Sequence, residues 1–156
     1  MNGKILGGSI AAVALIGGAA MYYMQVYGYY QPVTQDAAAI ALVPEGEDRP
    51  RPVAVTGFEG IDADSSPLRF RACFDLAAGP EQDLQGFTPY PRPEPLNAPH
   101  WFSCFDAAAI GAALEDGAAQ AFLGQAEIAP GVDRVIAVFP DGRAFAWHQL
   151  NDTYRD

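Results

Sequence analysis

The hydrophobic pattern divides the chain near residue 30. Ile5 to Tyr23 is apolar or small throughout, and no charged side chain occurs from Ile5 through Gln35. Crossing a hydrocarbon core of about 30 Å takes roughly 20 helical residues at about 1.5 Å each, so residues 5–27 can span it with some tilt. Tyr22, Tyr23, Tyr27, Tyr29 and Tyr30 close the run. Such a cluster suits a headgroup belt, where each ring is half buried and its hydroxyl wet. The alternative is a cleaved signal peptide, with Lys4, an apolar stretch and Gly18-Ala19-Ala20 as the small-residue cleavage site. The apolar run continues past that site to Val26, which favours a retained anchor.

After the span the pattern becomes that of strands and turns. Pro32 discourages continuation of the helix through Tyr30 and Gln31. Ala37–Val43 is a short apolar run, and residues 44–52 form a turn-rich, charged segment. Val53–Phe58 predicts a strand, ended by the Gly- and Asp-rich stretch from Glu59 to Pro67. From Leu68 to Asp75 the alternation is strict, with Leu68, Phe70, Ala72 and Phe74 on one face, which predicts a half-buried strand. Pro89, Pro91, Pro93, Pro95 and Pro99 mark an extended loop or sheet edge, since proline has no N–H for a ladder. Asp106 is placed to cap a helix over residues 107–115, with Ile110 and Leu114 one turn apart. Residues 118–128 favour a strand. Val132–Phe139 and Arg143–Leu150 flank Pro140-Asp141-Gly142, the strongest hairpin signal in the chain. Both of these strands are apolar on both faces, so the sheet holding them is covered twice or meets a partner.

These elements predict an α+β protein. It comprises an N-terminal transmembrane helix (residues 1–30), a linker with an acidic, proline-rich segment (31–52), and a small domain (53–156). That domain is expected to hold an antiparallel sheet, one main helix and a C-terminal β-hairpin. Charge adds an orientation. Of the 156 residues, all 19 acids and eight of the nine cations follow residue 35, which leaves that part at −11 against −10 for the whole chain. Lys4 is the one cation of the first part, so positive-inside logic places the N-terminus in the cytoplasm and the domain outside. Eight Arg, one Lys and abundant Ala suggest a GC-rich bacterial genome, which makes the outside a periplasm and the bilayer an inner membrane. So acidic a chain is a poor partner for nucleic acid, whose phosphates are met by clustered Lys and Arg. Within the span, Gly7 with Ala11 and Gly8 with Ala12 leave a shallow helix face, which lets a second helix approach closely in lipid.

The search for chemistry returns little. Cys73 and Cys104, the two cysteines, pair readily in an oxidising compartment and would close a loop around the proline-rich segment. No Cys-x-x-Cys, nucleophile elbow or phosphate-binding Gly-Lys loop occurs. His100 and His148 lack ligand-spaced partners in sequence, so neither a metal nor a cofactor is expected. The acidic surface reads as a solvated face, with steering of a basic partner as the alternative.

The stretches 101–106, 110–117, 131–135, 139–143 and 146–151 carry a resemblance. They read WFSCFD, IGAALEDG, GVDRV, FPDGR and AWHQLN, behind a start of Met1-Asn2-Gly3-Lys4 and a glycine-rich span. Together they resemble an uncharacterised family of small, single-pass, membrane-anchored alphaproteobacterial proteins. The resemblance implies the topology and the paired cysteines, and no activity or catalytic residue. The expectation is a non-catalytic accessory subunit or assembly factor of a larger energy-transducing membrane complex, such as a respiratory oxidase, a cytochrome bc complex or a photosynthetic core. Its span would contact the complex through Gly7, Gly8, Ala11 and Ala12. Its outer domain would do so through Pro91 and Pro93 of the proline loop or through Trp101 and Phe102. The alternative is a free-standing, membrane-tethered binding domain or enzyme.

Overall fold

The structure is a computed structural model that describes residues 2–81 and 83–154. It falls into two compact units, residues 1–30 and 31–156. The first is helix α1 (Gly3–Tyr23), continued by a π-helical turn over Met24–Gly28. The Asn2 side chain caps α1 by accepting from the Lys4 N–H. No residue of α1 is buried; Val13, Leu15 and Ile16 are each 70% exposed or more. Gly3–Gly28 is long and apolar enough to cross a membrane.

The second unit is built on a sheet of six strands. In chain order these are β1 (Gln31–Val33), β4 (Val55–Asp62), β5 (Arg71–Leu76), β6 (Gln120–Ala129), β7 (Val132–Val138) and β8 (Arg143–Leu150). They lie in the order β1-β4-β5-β8-β7-β6, every neighbour antiparallel. A two-stranded ribbon pairs β2 (Ala41–Leu42) with β3 (Arg51–Pro52). Two helices complete the unit, α2 (Gln35–Ala38) and α3 (Ala107–Glu115). The mixed α+β class expected from the pattern is what the structure has. Helix α3 occupies the expected residues, with the Asp106 carboxylate accepting from Ala109 N at 3.0 Å and Ile110 buried.

The central strands are buried on both faces. On one, Ala72, Phe74, Ile136, Val138, Ala144 and Ala146 pack against Ala38, Ile40, Leu42, Val55 and Phe122. On the other, Val135 pairs with Trp147 and Cys73 with Phe145, and Phe105 meets the Phe145 and Trp147 rings edge-on at 6.0 and 6.4 Å. Of the two explanations for strands apolar on both faces, double cover within the same unit is the one realised.

Three expectations need correction. Residues 31–52 are no linker: β1 joins the sheet, and Ala38, Ile40 and Leu42 cover one of its faces. Apolar residues between turn signals look like a tether when their partner strands are remote in sequence. The strand expected over Val53–Phe58 runs over Val55–Asp62 instead. A bulge between Thr56 and Glu59, with Gly57 at φ +61, absorbs the glycine and lets pairing with β5 resume. The strand expected from Leu68 begins at Arg71 and is not half-buried: Arg71 and Cys73 on its nominally polar face are also buried.

The β7–β8 turn requires a glycine. Gly142 has φ +93, and a Cβ there would come within 2.7 Å of the Gly79 Cα. Backbone cannot yield as a flexible side chain does, so strain and overlap add. Gly142→Ala is expected to cost about 2 to 4 kcal/mol of folding stability in chemical denaturation, without displacing α1 from detergent micelles.

Candidate functional site

The proline-rich segment is fastened to the sheet along its length. The Thr88 N–H donates to Val43 O at 2.8 Å, and Tyr90 N–H to Ala121 O at 2.8 Å. The Tyr90 hydroxyl donates to Asp133 at 3.1 Å. Gln149, buried in β8, donates to Arg92 O at 3.0 Å and accepts from Glu94 N–H at 2.8 Å and from the Trp147 indole at 2.9 Å. Arg71 donates to the carbonyls of Leu96, Asn97, Leu68 and Phe70 at 2.6 to 3.1 Å. Proline removes its own N–H but leaves each carbonyl as an acceptor, and the buried amide and guanidinium of the sheet supply the donors. Beyond the prolines, Cys73 and Cys104 form a disulfide, with Cα atoms 6.3 Å apart.

The expected contact residues separate. Pro91 is exposed and Pro93 half-buried, and Trp101 is 38% exposed. Phe102 is buried, so it is a core residue of this unit rather than a partner contact; the covalent tie at Cys104 and the burial of Phe105 carry the chain inward at that point. In α1, Gly7, Gly8, Ala11 and Ala12 are exposed, and a Cβ at either glycine would meet nothing within 4 Å. Tyr22, Tyr23, Tyr27 and Tyr29 are exposed and Tyr30 half-buried, with the Tyr23 and Tyr27 rings stacked at 5.6 Å. His100 lies exposed in the loop, and His148 is buried. Among the described residues, no group of three or more His, Cys, Asp or Glu is placed to hold a metal ion.

One cluster of titratable groups sits inside the sheet, and none of its members was expected to form a site. Arg134 of β7 pairs directly with His148 of β8. Gly124 gives the arginine stem its room: a Cβ there would stand 3.2 Å from both the Arg134 Cγ and the Arg134 carbonyl. The guanidinium lies 4.3 Å over the Phe70 ring, and His148 stacks on the same ring at 4.6 Å. Arg134 Nε donates to His148 Nε2 at 3.1 Å, and Nη1 donates to the Ala38 carbonyl. Pro67 O lies 2.8 Å from His148 Nδ1. These partners select one tautomer, with the proton on Nδ1 and Nε2 as acceptor. Both ring nitrogens are therefore engaged, and neither is open to take a proton from a substrate. Burial, then the Arg134 charge, push the His148 pKa down to about 4; burial pushes that of Arg134 down to about 10. The same cleft, about 380 Å³, is lined by Asp62, Asp64 and Ser66. Burial raises the Asp62 pKa from its ordinary value. The pairing was legible in principle: a hairpin centred on Pro140-Asp141-Gly142 puts residue 134 opposite 148.

The fold thus defines a small α+β domain with a six-stranded antiparallel sheet, covered on one face by its N-terminal segment and on the other by a disulfide-tied, proline-rich one. Residues 40–156 match a family of unknown function (DUF6446), and the chain belongs to that family. No curated protein and no solved structure matches it.

Because the folded His148 pKa lies below its unfolded value, the neutral imidazole contributes stability that is complete above pH 6.5 and is lost as the pH falls towards about 4. The loss expected from this group is about 3 kcal/mol. Melting curves across that window should steepen in the wild type and flatten in His148→Gln, whose amide oxygen still accepts from Arg134. Replacing both Cys73 and Cys104 with serine should cost roughly 3 to 4 kcal/mol and open the proline segment to proteolysis.

Proposed function

We propose that this is a non-catalytic, single-pass inner-membrane protein of alphaproteobacteria, with its N-terminus in the cytoplasm and residues 31–156 in the periplasm. It serves as an accessory subunit or assembly factor of a larger energy-transducing complex, of the kind formed by respiratory oxidases and cytochrome bc complexes. The observation that carries this reading is α1 itself: an apolar helix with no buried residue and a shallow face of Gly7, Gly8, Ala11 and Ala12. In lipid, where apolar side chains gain little from one another, close backbone approach along such a face is what joins helices. The disulfide favours an oxidising compartment for the domain. The engaged ring nitrogens of His148 favour a role without proton transfer. A second reading, a tethered binding domain, is favoured by the open cleft beside Arg134.

Replacing Gly8 or Ala12 with leucine would hold the helices apart while making the span more apolar. Association with co-purifying membrane proteins in mild detergent should fall about ten-fold or more, with insertion unchanged. Equal recovery of the same partners, or a wild type that migrates alone, overturns the accessory-subunit reading.

A further inference from the structure

Arg134 is buried, with 6% relative exposure, and the carboxylate that attracts it, Asp62, acts from beyond ion-pair distance. Among the described residues, no carboxylate oxygen lies within 4.0 Å of its guanidinium. Nε and Nη1 are bonded, but among the described residues Nη2 donates to no acceptor. No side-chain nitrogen or oxygen among the described residues is both buried and unpartnered, so Nη2 keeps some access to solvent, and Arg134 lines the open cleft. A buried cation lacking a paired anion is costly, and a donor aimed into a cleft is the place where a ligand relieves that cost.

The rest of the cleft narrows the ligand. Asp62, the last residue of β4, and Asp64 in the turn after it line the cleft, together with the apolar Ile128 and Ala129 of β6. Two acids beside a single open guanidinium edge penalise a dianion such as phosphate, as does the net charge of −10. A bare monocarboxylate would meet the same acids with nothing to offer them. A group with one carboxylate and an adjacent ammonium answers both signs, the carboxylate on Nη2 and the ammonium on the aspartates. The cleft volume of about 380 Å³ lies at the small end of ligand sites, roughly 300 to 1,000 Å³.

We propose that the cleft between Arg134 and the Asp62–Asp64 segment at the end of β4 is a binding site for a small amino-acid-like zwitterion, the guanidinium Nη2 taking its carboxylate and the aspartates its ammonium. His148 is a positioning residue here: by accepting from Nε it turns the remaining edge of the guanidinium outward, and Phe70 supports the plane from behind. Every residue of the site belongs to the second unit, so the proposal holds whether or not α1 joins a complex.

The test is calorimetric titration of the full-length protein in detergent. The probes are glycine, leucine, glutamate and arginine, each as the free amino acid, the N-acetyl derivative and the amide, with inorganic phosphate alongside. At least one free amino acid should bind with a Kd of about 1 mM or tighter, and its N-acetyl and amide forms at least about ten-fold more weakly. Asp64→Asn, an exposed position, should weaken the same ligand about ten-fold with an unchanged melting temperature, so the test survives if Arg134→Gln fails to fold. No binding of any free amino acid up to ~10 mM overturns the site. Equal binding of phosphate or of an N-acetyl form overturns the zwitterion assignment, as does an Asp64→Asn protein that binds like the wild type.

Discussion

A sheet with two apolar faces has to be covered twice, and most of this structure follows from how the covering is done. Strands β5, β8 and β7 lie at its centre, and Ala72, Ala144, Ala146 and Trp147 are wholly enclosed there. Yet among the described residues of the domain α3 is the one α-helix of more than about a turn. The remaining cover is short helix α2 with strand β2, residues 36–43, on one face and the irregular chain of residues 88–106 on the other. Irregular chain brings backbone carbonyls with it, and a carbonyl buried without a donor costs about as much as a lost hydrogen bond. The sheet therefore needs polar side chains directed out of an otherwise apolar surface.

Arg71, Gln149 and Arg134 meet that need, and they do so chiefly through main-chain atoms. Arg71 binds four carbonyls, two of them in the proline segment; Gln149 binds that segment through both ends of its amide; Arg134 binds Ala38 O on the opposite face. A chain with 19 acids has carboxylates enough to pair with each buried cation. A carboxylate brings its own desolvation cost, however, whereas a carbonyl that must be buried anyway does not. The proline segment profits most. Having few N–H groups of its own, it presents acceptors, and the disulfide to Cys104 closes the side that the hydrogen bonds leave open.

The two apolar faces differ in how completely they are sealed. Over Trp147 the cover is continuous, from Gln149 through Phe105 to the disulfide. At the Arg134 end the cover consists of the Ala38 carbonyl, the Phe70 ring and the Pro67 turn, and it leaves a cleft. A buried cation lining an opening, in a protein of net charge −10, sets a local positive charge against acidic surroundings. That contrast makes it a candidate for selective recognition, in a domain whose other buried polar groups among the described residues are satisfied from within.

Periodicity, capping and turn chemistry are local, and what depends on them was legible in the chain: the apolar helix at the N-terminus, α3 behind Asp106, the Pro140-Asp141-Gly142 hairpin, and strands too apolar to face water. Two apolar faces already implied two covers. What supplied them was not legible, because cover is a matter of which remote segment lies on which face. Hence Ala37–Val43 read as part of a linker, Arg71 and Cys73 as the wet side of a strand, and Phe102 as an exposed aromatic. Each is buried by residues about thirty or more positions away, or by a segment whose prolines look like a solvated loop. The Arg134–His148 pairing is intermediate. Hairpin register alone sets it opposite across the ladder, but only the packing of Phe70, Ala38 and Pro67 around it decided that the arginine is buried, the histidine neutral, and one edge of the guanidinium left open.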